Sequence, residues 1–145
     1  MMRAWLLGTL LTGALSGTAW ASLDGNLASV QADAQAFAAV TTQSTINGAT
    51  VHVQTLPNAL TLRQYVDSSG LVFAVGWDGP VLPDFERLLG QHYAAYANAL
   101  PKQRRSVNLH DSAVVIESGG MMRAYAGRAY LPGRLPIGWS VNDIR

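Results

Sequence analysis

Residues 71–89, with the sequence LVFAVGWDGPVLPDFERLL, constrain the fold of this chain more than any other segment. The segment opens with a run of β-branched, aromatic and small apolar residues, a composition that favours a β-strand. Gly79 and Pro80 interrupt the run, and Pro83 and Asp84 follow in the order that is typical of a helix start. The segment therefore predicts a strand that leads directly into the main helix.

The main helix is predicted to end near Ala99, because Pro101 cannot continue it. Gly90 lies within this helix and indicates a close contact with a sheet. A shorter helix is predicted at residues 27–39, after an Asp-Gly-Asn sequence that offers N-cap chemistry. The main helix carries one apolar stripe, formed by Phe85, Leu88, Leu89, Tyr93, Tyr96 and Leu100.

The predicted sheet consists of a three-strand meander and a hairpin. Residues 50–56, 61–67 and 71–78 alternate with a period of two and form the meander. Residues 112–118 and 121–130 form the hairpin, which Gly119-Gly120 closes as a two-residue turn. That turn would place Val114 opposite Tyr125, Ile116 opposite Arg123 and Asp111 opposite Arg128.

Together these elements predict an α+β fold, with an antiparallel sheet of about five strands packed on one main helix. The polar residues 41–45, and the polar segment that precedes the hairpin, are predicted as loops. Residues 131–145 contain prolines and glycines at short intervals and predict an extended tail laid over the domain, anchored by Trp139.

The first 21 residues predict a secretory signal peptide. Arg3 precedes an apolar segment at residues 4–15, and Ala19-Trp20-Ala21 forms a small-x-small cleavage site. The apolar segment is shorter than the roughly 20 residues that a membrane-spanning helix needs. We therefore expect cleavage before Ser22, and a single α+β domain at residues 22–145 that has no membrane span and lies in the periplasm or outside the cell.

The composition excludes several classes of function. The formal charge of +1 includes Arg3, so the mature chain would be neutral, which argues against a general nucleic-acid role. Cysteine is absent, and His52, His92 and His110 have no second ligand at metal spacing. Neither a Gly-x-Ser-x-Gly elbow nor a phosphate-binding glycine loop occurs. We predict no catalytic, cofactor-binding or metal-binding residue, and we favour a protein that is not an enzyme.

The turn Ser68-Ser69-Gly70 would place Asp67 opposite Leu71 and so assign side chains to the two faces of the central strands. The face predicted to pack on the main helix has small residues near its end and consists of Leu62, Val66, Val72, Ala74 and Gly76. The other face is larger and aromatic and consists of Thr61, Arg63, Tyr65, Phe73, Val75 and Trp77.

The aromatic face is the candidate ligand or partner surface. An arginine beside aromatic rings suits recognition of an aromatic, glycan or peptide ligand by stacking and cation-π contact. The alternative is a second hydrophobic core layer covered by the N-terminal helix or the tail, because large exposed apolar patches are uncommon. The candidate residues are Arg63, Tyr65, Phe73 and Trp77, joined by Arg123 and Tyr125 from the hairpin.

Four segments cover most of the chain after residue 21. They are LDGNLASVQAD near the start, RQYVDSSGLVFAVGWDGPVLPDFERLLGQHY at residues 63–93, SGGMMRAYAGRAYLP at residues 118–132 and LPIGWSVNDI near the end. In these segments the chain resembles a family of small exported bacterial proteins known as domain of unknown function 2844. The resemblance implies export and a single domain, and it implies no activity.

Two hypotheses of function remain. The first is a non-enzymatic exported module for binding or assembly, which holds a protein, peptide or glycan partner of the cell envelope on an open sheet face or a sheet edge. The second is a small exported hydrolase whose site matches no recognised motif.

Overall fold

The computed structural model describes residues 23–100 and 106–145, which form one seven-stranded antiparallel sheet and three short helices. The strand order is β1-β2-β3-β4-β7-β6-β5. The prediction of five strands on one main helix was therefore wrong. The helices are α1 (Leu27–Ala36), α2 (Phe85–Leu89) and α3 (Tyr93–Ala99); the strands are β1 (Val40–Ile46), β2 (Ala49–Thr55), β3 (Thr61–Val66), β4 (Val72–Gly79), β5 (Val107–His110), β6 (Val115–Met121) and β7 (Ala124–Tyr130).

The two additional strands are the edges of the sheet, and both were predicted as loops. Every residue of β1 is exposed, so its sequence lacks the apolar alternation that marks a half-buried strand. Asn47 and Gly48 connect β1 to β2, with φ angles of 47° and 79° that fit a two-residue hairpin turn. Asn-Gly is a strong hairpin signal, and it is the feature from which β1 could have been predicted.

The predicted main helix is interrupted at Gly90. The N-cap Asp84 accepts a hydrogen bond from the amide of Arg87 and starts α2 as expected. Gly90 then adopts φ 53° and ψ −124°, and residues Gly90–His92 form a 3₁₀ turn before α3. The glycine therefore breaks the helix instead of providing a close contact within a continuous one. The N-terminal helix α1 is also shorter than predicted, since Ala38 has a left-handed φ of 50°.

The second hairpin turns three residues later than predicted. Met121 pairs with Ala124, so the turn lies at Met122 and Arg123, while the two glycines belong to β6. As a consequence Ile116 pairs with Ala129, and Tyr125 pairs with Gly120. The predicted pairs of Val114 with Tyr125, Ile116 with Arg123 and Asp111 with Arg128 are therefore wrong. Arg128 instead lies opposite Glu117.

A β-bulge in β4 changes the predicted faces of the central strands. The turn at Gly70 forms as expected, with φ 86°. Val66 pairs with Val72, but Tyr65 pairs with Ala74, so Phe73 is an extra residue on β4. Since side chains alternate along a strand, one extra residue reverses the face of every side chain that follows it.

We call the two faces of the sheet the helix side and the tail side. The reversal places Val75 and Trp77 on the helix side with Leu62, in the larger apolar cluster. Ala74 lies on the tail side in a second apolar cluster that includes Tyr65. The prediction that Ala74 and its neighbour Gly76 admit the helix is therefore wrong. No helix of the described residues is long and apolar enough to cross a membrane.

Candidate functional site

The aromatic rings of the tail side are covered by residues 131–145. Trp139 packs edge-on against Tyr65 and Phe73, with ring centroids 5.7 Å and 5.3 Å away. The Trp139 Nε1 donates a hydrogen bond to the carbonyl oxygen of Asn47 at 3.2 Å. Tyr65 and Phe73 are 2% and 0% exposed. These two candidate residues therefore form the second core layer, with Trp139 as its anchor, and offer no open surface.

The other candidate residues lie in separate places. Trp77 is buried on the helix side, with its ring 5.2 Å from that of Phe85, so it does not share a face with Arg63. Arg123 is exposed in the β6–β7 turn, and its φ is 67°. Tyr125 is half-buried beside an apolar cleft of about 530 Å³. The predicted aromatic surface is therefore not assembled in the folded chain.

The last residue of the sequence is held firmly on the tail side. The amide of Arg145 donates to the Tyr65 hydroxyl at 3.0 Å. A Cβ on Gly76 would lie 2.7 Å from the carbonyl carbon of Arg145, and still closer to its oxygen, so only glycine leaves room for this main chain. The guanidinium of Arg128 donates to the carbonyl oxygens of Val141 and Ile144 at 2.6 Å and 3.3 Å. The stem of the Arg145 side chain is thus fixed relative to the sheet.

A groove of about 410 Å³ begins where this main chain ends, and we call it the Arg145 groove. Arg63 forms an ion pair with Asp78 along one wall. Arg128 forms an ion pair with Glu117 along the other, with Nε 2.6 Å from Oε2. The lining residues are Arg63, Trp77, Asp78, Glu117, Ala126, Gly127, Arg128 and Arg145.

Three arginine side chains and two carboxylate side chains line the Arg145 groove. Each of these side-chain carboxylates is already paired with Arg63 or Arg128. Among the described residues, the guanidinium of Arg145 has no hydrogen-bond or ion-pair partner, although its backbone is bonded. The groove residues therefore include one cation whose hydrogen-bond donors are available to a ligand.

Of the groove residues, the sequence identified only Arg63 and Trp77 as candidates. Glu117 and Asp78 were missed because their partners depend on registers that the bulge and the shifted turn decide. Arg145 was missed because a single arginine at the end of a proline- and glycine-rich tail carries no local signal. The predicted pairing of Arg128 with an acid was of the right kind but named the wrong partner.

A second constellation brings an aspartate, a histidine and a serine to one pocket. Asp24, His92 and Ser112 line a space of about 300 Å³. Burial lowers the pKa of His92, and the Asp24 carboxylate opposes that shift. The Ser112 hydroxyl, however, donates to Asp111 at 3.1 Å, and the buried His92 Nε2 has no partner among the described residues. These three side chains are therefore neighbours without the hydrogen bonds of a catalytic triad.

The other two histidines, His52 and His110, lie in strands of the sheet. Burial lowers the pKa of His52, which lies in β2 opposite Gln64. His110 Nε2 lies 2.7 Å from the Asn108 side-chain oxygen and 3.3 Å from Glu117. Within the described residues, no group of three histidines and carboxylates is arranged to hold a metal ion.

Comparison with known proteins finds a match to a family model. The family model described as "Protein of unknown function (DUF2844)" matches residues 19–144. No curated protein and no solved structure matches the chain.

Proposed function

We infer that this chain, which belongs to the DUF2844 family of proteins of unknown function, is an exported, non-enzymatic binding module. In this proposal it works in the periplasm or outside the cell. It holds an acidic peptide segment of a cell-envelope protein in the Arg145 groove.

The observation that carries this proposal is the guanidinium of Arg145, which has no partner among the described residues while both groove carboxylates are already paired. A carboxylate is the group that a guanidinium binds best, through two parallel hydrogen bonds. The main chain of Arg145 is held by the Tyr65 hydroxyl, so ligand binding has to order only the side chain of this residue.

The tail indicates that this side of the sheet accommodates peptide. Arg128 donates to two tail carbonyl groups, and Tyr65 bonds the backbone of Arg145. These contacts recognise main-chain atoms rather than particular side chains. A ligand peptide in the groove would meet the same face of the sheet directly beyond the tail, with its acidic side chain on Arg145.

Export is supported by the signal-peptide pattern of residues 1–21, which lie outside the described residues. Expression of the full chain with its N-terminal segment in a Gram-negative host tests it. We expect the protein recovered from the periplasm or medium to begin at Ser22 by intact mass. An exported protein that retains Met1 or Met2, or a product confined to the cytoplasm, would contradict cleavage and export.

The ligand class is tested by titrating the purified protein with acetylated hexaglutamate amide, using hexaglutamine amide as the uncharged control. We expect saturable binding of hexaglutamate, which weakens as salt is added. R145Q should weaken it roughly 10- to 150-fold, because a hydrogen bond to a charged group contributes about 1.5–3 kcal/mol.

The matched control is R123Q, which removes the same charge from an exposed turn outside the groove. It should leave hexaglutamate binding unchanged. Equal losses in R145Q and R123Q would show that only net charge attracts the peptide, and equal affinity for hexaglutamate and hexaglutamine would remove the role of the carboxylates. Either result contradicts the proposal.

The alternative is a small exported hydrolase, and one pocket of the structure supports this particular type of enzyme. Asp24, His92 and Ser112 share a pocket, and burial lowers the pKa of the half-buried His92, as suits a general base. In this alternative the Ser112 hydroxyl turns from Asp111 to His92. Hydrolysis of p-nitrophenyl acetate above the rate without protein, abolished in S112A and unchanged in S106A, would support it. No hydrolysis by the unaltered protein would exclude that substrate class.

A further inference from the structure

Among residues 23–100 and 106–145, strand β1 is an open edge of the sheet, and it lacks the features that usually protect an edge. All seven of its residues are exposed. Its pairing with β2 runs from Val40 to Ile46 without a bulge, and it contains no proline and no charged residue. Natural sheets protect their edges with lysine, proline, bulges or short strands, because unpaired main-chain groups recruit another strand. The opposite edge, β5, has only four residues.

The sequence of β1, Val-Thr-Thr-Gln-Ser-Thr-Ile, complements itself when it is read in the antiparallel direction. With Gln43 on a two-fold axis, each residue meets one of its own chemical kind. The opposed pairs are Val40 with Ile46, Thr41 with Thr45, Thr42 with Ser44, and Gln43 with itself. We propose that β1 pairs with β1 of a second copy of this chain, so that two sheets join into one continuous antiparallel sheet.

The hydrogen-bond pattern of the hairpin fits this register. Ile46 and Ala49 close the two-residue turn and form a hydrogen-bonded pair, and such pairs alternate along an antiparallel ladder. The main-chain groups of Thr41, Gln43 and Thr45 therefore point away from β2 toward the open edge. These same three residues form the central pairs of the two-fold register, which provides about six main-chain hydrogen bonds between the copies.

The side chains also favour a second copy as the occupant. Val40 and Ile46 are 71% and 39% exposed, and the register places each of them against the other from the partner copy. Aliphatic pairs and threonine pairs directly across an antiparallel ladder are stabilising. This surface lies at the far edge of the sheet from β6 and β7, so the inference is independent of ligand binding in the Arg145 groove.

The test is the oligomeric state, measured by sedimentation over a protein concentration series from about 1 to about 300 μM. The unaltered protein should form a dimer as the concentration rises. Q43K and Q43E should each raise the dissociation constant at least tenfold, since both place two like charges opposite each other on the axis. An equimolar mixture of Q43K and Q43E should restore a dimer that contains one copy of each.

Q31K is the matched control, because Gln31 is exposed on α1 and the substitution makes the same change of charge away from the edge. It should dimerise like the unaltered protein. Hydrogen exchange should slow on dimerisation at the amides of Thr41, Gln43 and Thr45. A protein that stays monomeric, a dimer that Q43K leaves intact, equal weakening by Q31K, or slowing confined to other strands would overturn the proposal.

Discussion

Replacement of Gly76 with alanine should release the end of the tail from the sheet. The new Cβ would lie 2.7 Å from the carbonyl carbon of Arg145, against an ordinary contact distance of 3.4–4 Å. The carbonyl oxygen would lie closer still, so the Arg145 main chain must retreat by roughly 1.5–2 Å before a normal van der Waals distance is restored. Strand β4 cannot move instead, because both of its neighbours are paired with it.

The cost can be bounded from the contacts of the tail. Loss of the hydrogen bond between the Arg145 amide and the Tyr65 hydroxyl removes about 1 kcal/mol of stability. If the displacement also exposes Ile144, which is 2% exposed, about 1.5–3 kcal/mol is lost in addition. We expect G76A to reduce the free energy of unfolding by between about 1 and about 4 kcal/mol.

Urea unfolding followed by tryptophan fluorescence measures this loss. G133A is the control, because a Cβ at Gly133 meets nothing within 4 Å. Y65F should cost about 1 kcal/mol in the unaltered protein, yet nothing further in G76A, where its hydrogen bond is already broken. The reasoning is refuted if G76A unfolds at the same urea concentration as the unaltered protein, or if G76A and Y65F are additive.

Three further predictions concern other parts of the fold. Burial lowers the pKa of His52 and His92 below 6.5, so these histidines bind protons at a higher pH in the unfolded chain than in the folded one. The free energy of unfolding should therefore fall as the pH drops below 6.5. Urea titrations at several pH values measure this dependence, and H52Q combined with H92Q should flatten it. D33N removes the carboxylate that accepts a hydrogen bond from Arg87 Nε at 3.0 Å. Because Asp33 is buried, the substitution should lower the free energy of unfolding by about 1–3 kcal/mol in the same assay. E86Q, at an exposed position, should change it very little. G48A forces an alanine into a φ of 79° and should cost about 1–2 kcal/mol of stability relative to G133A. Amide hydrogen exchange should also become faster in β1, because the turn at Gly48 holds this edge strand. Unchanged exchange throughout β1 would contradict that role of the turn.

The sequence predicted correctly those elements that depend on their own local residues. The meander strands, the left-handed Gly70 and the helix start at Asp84 each follow from local composition, and each is present. The anchoring role of Trp139 followed in the same way, because it is the only aromatic residue of a proline- and glycine-rich tail.

The errors have a different origin, since they concern an exposed strand or depend on counting residues across a turn or a bulge. β1 has no buried face, so no apolar periodicity marks it, and only its Asn-Gly turn carries information. For the second hairpin, Gly119-Gly120 and Met122-Arg123 are competing turns, and the glycines were preferred although they lie within β6. The later turn is chosen by packing, because it places Ile116 opposite Ala129 on the buried helix side.

The bulge at Phe73 has the widest effect, because it determines the kind of surface that the tail side presents. Without the extra residue, Val75 and Trp77 would lie on the tail side beside Arg63. With it, Gly76 occupies that place and admits the main chain of Arg145, while Trp77 contributes to the core on the helix side. The tail side therefore has a groove with charged walls in place of the flat aromatic surface that the sequence predicted. In the proposed function, recognition at this site depends on charge and on main-chain hydrogen bonds. R145Q should then weaken hexaglutamate binding more than any substitution of the buried aromatic residues that leaves the tail in place.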